Sequence, residues 1–364
     1  MLDSDVLAEA ERQFTVCNAC RYCEGLCSVF PAMEMRNSFV SGDVAHLANL
    51  CHDCRACLHA CPFSPPHEMA INIPTLMSTI RAQSFEQHAR PAFIWRLLGR
   101  SRVLASMVAI AIGMIALPVG AVDGLSKLTH SHRGHGAFYK LIGYVWLVVP
   151  GTVAGVLVLT AIAAGAWSSI GDSGAPAAAF FGIRPNLRAL ADALGLKNLR
   201  GGGGGCHSDE MSPSTVRRKL HNFVFYGFLL MIASTLSAAI EQDALNHEPP
   251  FRLLSVPVML GTLGGIAAVI GCAGFALVGR RGSDALKSDQ SRSGDRIFGG
   301  LLILTAGSGL LLLALRSTPL LSVALIVHLG IVGVFFIALP YSKFVHAAYR
   351  YLALVRFHAE SKER

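Results

Sequence analysis

The sequence predicts a mainly α-helical protein in two parts: a small helical head over residues 1–100, and a six-helix membrane bundle over residues 101–346. Three observations predict it. Eight of the ten cysteines lie before residue 62. The rest of the chain is filled by long apolar stretches, giving a mean hydropathy of +0.49. Lys and Arg gather in alternate loops, within a net charge of +8. Residues 347–364 read as a basic tail.

The head comes first. Cys17, Cys20, Cys23 and Cys27 form a C-x2-C-x2-C-x3-C run, and Cys51, Cys54, Cys57 and Cys61 repeat it. This is the ligand run of bacterial two-cluster ferredoxins, in which each run gives three thiolates to one [4Fe–4S] cluster and its fourth cysteine to the other. Cys17, Cys20, Cys23 and Cys61 are therefore expected on the first cluster, and Cys51, Cys54, Cys57 and Cys27 on the second. Zinc needs four ligands per site and does not account for the third cysteine at x2 and the fourth at x3. Disulfides belong to oxidising compartments, whereas residues 1–16 lack the apolar core of a secretion signal. The two runs differ at one point: Pro62 follows Cys61, but Ser28 follows Cys27. The fourth ligand at Cys27 is thus expected to be the less rigid one. Arg21 and Arg55 lie within the loops as candidates for tuning potential or docking an acidic partner, against plain surface solvation.

Six stretches lack Asp, Glu, Lys and Arg and approach the ~20 residues a spanning helix needs: residues 103–122, 141–166, 223–240, 253–279, 297–315 and 320–341. One such stretch fits a buried helix of a soluble protein; six do not. Residues 316–319 between the last two predict a tight helical hairpin.

Orientation follows from the basic residues. Arg90, Arg96, Arg100 and Arg102 precede the first span, and Arg184, Arg188, Lys197, Arg200, Arg217, Arg218 and Lys219 fill the second–third loop. Arg280, Arg281, Lys287, Arg292 and Arg296 mark the fourth–fifth loop, and Lys343, Arg350, Arg356, Lys362 and Arg364 the end of the chain. The opposite loops are poorer. The head and both termini are accordingly expected in the cytoplasm, on a multi-pass protein of the cell inner membrane. The charge is spread along membrane flanks, which argues against a nucleic-acid partner.

The longest loop, residues 167–222, holds five glycines at 201–205 followed by Cys206 and His207. No GxGxxG and no Gly-Lys-Ser/Thr accompanies them, so a nucleotide site is not expected. The composition favours a flexible loop, against docking a partner or lining a quinone pocket. Cys206 and Cys272 read as inert.

Electrons that enter a membrane domain from clusters need an acceptor, either haem b held by two histidines or quinone directly. His221 opens the third span, and His346 follows the sixth on the same side, so the pair can share one haem. His328 lies inside the sixth span, and an ionisable group there is a functional candidate, against a hydrogen bond to a neighbouring helix. If one helix carries both, the 18 residues from His328 to His346 are five turns, which puts both on one face about 27 Å apart. A partner for His328 is then expected toward the opposite side, where His135 fits and His130, His132 and His247 compete.

The chain resembles the tricarballylate/citrate utilisation protein B family over nearly its whole length. The resemblance rests on the two cysteine runs with Asn18, Ala19, Arg21 and Tyr22 and with His52, Asp53, Arg55 and Ala56 between their ligands. It rests more specifically on residues 201–206, on Arg217-Arg218-Lys219-Leu220-His221, on Phe225-Tyr226-Gly227-Phe228, and on residues 339–346 from Leu339-Pro340-Tyr341 to His346. It implies a membrane electron-transfer subunit of an oxidoreductase complex. A separate FAD-dependent dehydrogenase oxidises a small tricarboxylic acid. This chain reoxidises its FADH2 through two [4Fe–4S] clusters and one or two haems b, and passes the electrons to membrane quinone. It also implies a second histidine where Asn222 stands, so His221 has to serve here. The chain shows no flavin fingerprint, which leaves substrate chemistry with the partner. Two other readings stand beside this one. The first is a haem-free redox module for another soluble dehydrogenase, of glycerol-phosphate or heterodisulfide type. The second is a tricarboxylate transporter with a redox sensor, against which the spans offer no repeat and no embedded carboxylate or Arg.

Overall fold

Helix α1 (Ser4–Cys20) starts where the Asp3 carboxylate accepts the Asp5 amide, and stops at Arg21, whose backbone turns left-handed at φ 55° while its N–H returns to the Cys17 carbonyl. The computed structural model describes residues 2–98, 100–123, 136–203, 205–207, 213–279 and 287–361. Helices α2 (Val29–Glu34), α3 (Ser41–Leu50), α4 (Ala56–Ala60) and α5 (Ile73–His88) complete the amino-terminal part of the head. Helix α5 is capped by Asn72, whose side chain accepts the Thr75 amide, with Pro74 in the first turn where its missing N–H costs nothing. Phe14, Met33, Leu47, Leu50, Met77 and Ile80 are almost fully buried together, and each such burial contributes roughly 1.5–3 kcal/mol.

Short helices α6 (Ala92–Leu98) and α8 (Ala137–Leu141) flank the first span, α7 (Ser101–Asp123). The remaining long helices are α9 (Tyr144–Asp172), α11 (Val216–Asp243), α12 (Val256–Val278), α13 (Asp289–Leu315) and α14 (Leu321–Ala338). Among the described residues six helices are long and apolar enough to cross a membrane, and they cover the six expected stretches. Two start earlier than composition alone suggests: α11 at Val216 and α13 at Asp289. Their first turns carry charges that stay on the head side of the bundle.

Helices α11 and α12 touch backbone to backbone. A Cβ on Gly227 would lie 2.9 Å from the Gly264 carbonyl oxygen, and one on Gly264 would lie 2.7 Å from that of Gly227. Lipid gives no hydrophobic drive between helices, so close approach of small residues supplies the packing instead. Helix α9 is largely uncovered by protein, with Trp146 79% exposed. It meets the head at Gly165, where an added Cβ would come within 2.7 Å of the Tyr349 hydroxyl and 2.9 Å of the His88 carbonyl.

The carboxy-terminal segment is not a free basic tail. Helix α15 (His346–Glu360) packs Ala353, Leu354 and Val355 into the head core. Its Arg356 donates to Glu360 and Asp43 at 2.6 Å each and to the Ser173 carbonyl at 2.9 Å. Arg36 binds the same two carboxylates, at 2.7 Å to Asp43 and 2.9 Å to Glu360. Of the positive charges that composition assigns to a tail, Arg356 is thus held in a buried four-charge network. The second–third loop differs from expectation in the same way. It contains α10 (Ile183–Leu194), which buries Pro185 and Ala189, and Tyr351 and His358 of α15 reach its Asn186 and Asp192 at 2.7 and 3.0 Å.

His328 and His346 do not share one helix. Two 3-10 turns, Leu339–Tyr341 and Lys343–Val345, separate α14 from α15, and Ser342 between them is extended at φ −124° and ψ 178°. Pro340 opens the break. The five-turn, 27 Å relation between the two histidines therefore does not hold.

Candidate functional site

The left-handed Arg21 ends α1 and swings the chain back, so that Cys17 and Cys20 on the last turn face Cys23 in the following turns. Cys61 arrives at the end of α4. These four cysteines line one cavity of ≈ 300 Å³ whose other walls include Tyr22, Phe30 and Phe63. Burial pushes the Cys17 thiol up to about 12, followed by the neighbouring Cys61, Cys23 and Cys20. Burial, then Cys61 and Cys20, pushes Cys23 up to about 11.

Cys27 sits apart from its own run. Burial raises its thiol most, then Cys51 and Cys54, while the Val29 and Phe30 amides at the start of α2 donate to its sulfur. Burial likewise raises Cys54 to about 12. Cys57 is raised well above its ordinary value by burial and then by Cys51, Cys27 and Cys54. The structure thus sets the fourth cysteine of each run among the first three of the other. Ser28 leaves Cys27 without a following proline, yet two amides hold its sulfur.

The donor set can be tested against the group it would hold. Among the described residues no three His, Cys, Asp or Glu side chains converge closely enough to bind one metal ion. Four cysteines lining one cavity with apolar walls match the donor set of an iron–sulfur cluster. Buried thiols beside one another disfavour ionisation, and a bound iron centre reverses that preference.

The second group is roofed by parts of the chain far away in sequence. A Cβ on Gly201 would lie 3.8 Å from the Cys54 sulfur, and the His207 amide donates to the Cys54 carbonyl at 2.8 Å. Gly201, Gly202, Gly203 and Gly205 all have positive φ, at 54°, 71°, 102° and 107°. Glycine is favoured there, most of all at Gly203 and Gly205, and the run packs against the second cysteine loop. Cys206 is buried beside Cys54 and Ala56, outside both groups of four. Arg55 is 1% exposed, with φ 63°, so surface solvation does not describe it. Its partner Asp53 also binds Arg217 at 3.2 Å. Burial opposes the Asp53 charge, but Arg217 and then Arg55 hold its carboxyl below the usual value. Arg21, by contrast, is exposed and donates from Nε to the Asn18 carbonyl at 3.1 Å.

His221 of α11 and His346, the first residue of α15, come together with ring centroids 6.5 Å apart and planes at 87°. At this spacing the two imidazoles would be the residues to hold one metal centre between them. The His346 Nδ1 meets the Lys343 carbonyl at 2.6 Å, an arrangement that leaves Nε2 for a ligand bond. The His221 Nδ1 is buried without a partner, as is the Asn222 side-chain oxygen. His328 instead meets Ser308 of α13, Nδ1 to Oγ at 2.9 Å, and lies over Gly309. His135, with His130 and His132, lies outside the described residues. His247 is exposed and 3.9 Å from Glu241.

Sequence reading missed the link between these places. Arg81 of α5 and Arg350 of α15 both donate to the Cys51 carbonyl, Arg350 at 2.5 Å. His346, Tyr349 and Arg350 stand at i, i+3 and i+4, one helix face, a signal readable once the helix is known to begin at His346.

Residues 10–87 match the family model for the "Citrate utilization protein B Fer4-like domain", and residues 97–364 match that for "Citrate utilization protein B". A protein of Escherichia coli described as "Citrate utilization protein B" is 38% identical over 359 residues, covering 98% of this chain and 93% of the relative. No solved structure matches. With both halves matched, and a relative aligned almost end to end, the chain belongs to the citrate utilization protein B family.

Proposed function

We propose that this protein carries electrons from a soluble FAD-dependent dehydrogenase of a citrate-type acid into the membrane quinone pool. Cys17, Cys20, Cys23 and Cys61 would hold one [4Fe–4S] cluster, and Cys27, Cys51, Cys54 and Cys57 the other. Such clusters take one electron at a time, which suits a two-electron flavin donor. His221 and His346 would hold a haem b on the head side, with His328 the candidate for a second. The citrate-type substrate rests on the name of the relative and on the family resemblance, and its chemistry belongs to the partner. The head and both chain ends would lie in the cytoplasm, where the dehydrogenase is.

The observation that carries this reading is the convergence at Cys51. Its carbonyl is bound by Arg350, on the helix whose first residue, His346, pairs with His221. The residues of the head therefore touch those of the histidine pair through one helix. The test is the reduced-minus-oxidised spectrum of the purified full-length protein. A b-type band is expected. It should disappear in His346→Ala and in His221→Ala with iron–sulfur absorbance retained. A wild-type spectrum without that band would remove the haem from the path.

A further inference from the structure

A half-open cavity lies where the head meets the second span, and neither the thiol groups nor the histidine pair uses it. Its walls include His46, His88, Asp172, Phe180 and Tyr349. His88 is 3% exposed, with Nδ1 3.2 Å from the Ser168 hydroxyl and 3.8 Å from an Asp172 carboxylate oxygen. The Asp172 side chain is 55% exposed, so this dyad connects the cavity to water. His46 is 6% exposed, and its Nε2 has no partner in the protein. Phe180 and Tyr349 add flat faces.

The cavity is placed between the redox groups and lipid. Asn49, also in its wall, is two residues before Cys51, at most ~7 Å along the chain. Arg350 donates to both carbonyls, at 3.4 Å to Asn49 and 2.5 Å to Cys51. Tyr349 is less than one helical turn from His346. On the other side stand Ser169 and Asp172, the end of α9, whose apolar length is largely uncovered by protein.

We infer that this cavity binds the head group of a membrane quinone and is the place of its reduction. The inference rests on the reading above, in which quinone is the acceptor. A quinone ring is flat, accepts hydrogen bonds at two carbonyl oxygens, and carries a tail that must stay in lipid; the cavity offers all three. The balance is one quinone, two electrons and two protons giving one quinol. The electrons arrive singly from the reduced centres, which are oxidised in turn. His88 supplies a proton to a ring oxygen, Asp172 refills it from water, and the same pair delivers the second. Burial lowers the proton affinity of His88 more than Asp172 raises it, so the imidazolium form is the stronger proton donor.

The test uses the full-length protein in nanodiscs, stoichiometrically reduced and mixed anaerobically with decylubiquinone or menadione. His88→Gln removes the proton donor, and Ala45→Trp fills the cavity while every titratable group of its wall is kept. Each is expected to slow quinol formation about 10-fold or more, within the range for loss of a proton donor. Iron content and reoxidation by ferricyanide should stay unchanged. Quinol formation at the wild-type rate in both variants overturns the site. A wild-type protein that reduces neither quinone overturns the acceptor reading itself. An azidoquinone labelling experiment needs no variant. Label on residues 41–49, 168–181 or 349–356 supports the site, and label confined elsewhere overturns it.

Discussion

At the scale of single residues, the fourth cysteine of each run carries the most information. Cys61 stands with Cys17, Cys20 and Cys23, and Cys27 with the second run. Cys61→Ser and Cys27→Ser should therefore damage different centres. Iron analysis with low-temperature paramagnetic resonance is expected to show a different cluster perturbed in each variant. Identical spectra would contradict the crossed arrangement. This crossing was legible from spacing. The environment of the ligands was not, because it is set by partners remote in sequence: Arg55 looked solvated and is buried against Asp53, which Arg217 binds from 164 residues away. His46 offers a pH test. Burial, then Arg356 and Arg36, hold it well below its ordinary 6.5. The unfolded chain then binds a proton that the folded head does not, so stability is present above about pH 6.5 and falls as pH drops below it. Thermal melts of the full-length protein at pH 7.5 and 5.5 should differ, and His46→Gln should narrow the difference.

At the scale of elements, the informative ones are those that composition could not place. Helix α15 reads as a basic tail because its arginines have no acidic neighbours until Glu360. Their partner Asp43 lies about 300 residues earlier. The break at Pro340 and Ser342 aims this helix back at the head. The same break separates His328 from His346, which period counting had joined. Arg36→Met would strand Asp43 and Glu360 with a single arginine, and loss of one partner in a buried ion network costs about 3–5 kcal/mol. A clear fall in the thermal midpoint of the head is expected, with the six spans still inserted. The spans were legible because lipid imposes length and apolarity on each segment separately. Their contacts were not. Gly227→Leu should force α11 from α12 at the Gly264 contact and weaken the His221 position, read as loss of the b-type band.

At the scale of the whole molecule, the parts are joined by direct contacts. The first thiol group lies in its own cavity at the end of α1, and the second lies under the glycine run. Helix α15 joins the second group to His346, Tyr349 and the cavity at the head of α9. The chain returns to its own beginning, so the head is complete only when residue 356 and its neighbours have docked. Removing residues 346–364 should therefore destroy the head as well as the histidine pair, and limited proteolysis of the truncated protein is expected to degrade residues 1–100 rapidly. A head that stays resistant would contradict the assembled core. The central claim is that eight cysteines hold two cubane clusters beside each other. Its most direct test is paramagnetic resonance of the reduced full-length protein, with iron and zinc counted on the same sample. The account predicts about eight iron atoms per chain and the split spectrum of two interacting [4Fe–4S] centres; zinc without iron, or the signal of a single isolated cluster, would contradict it.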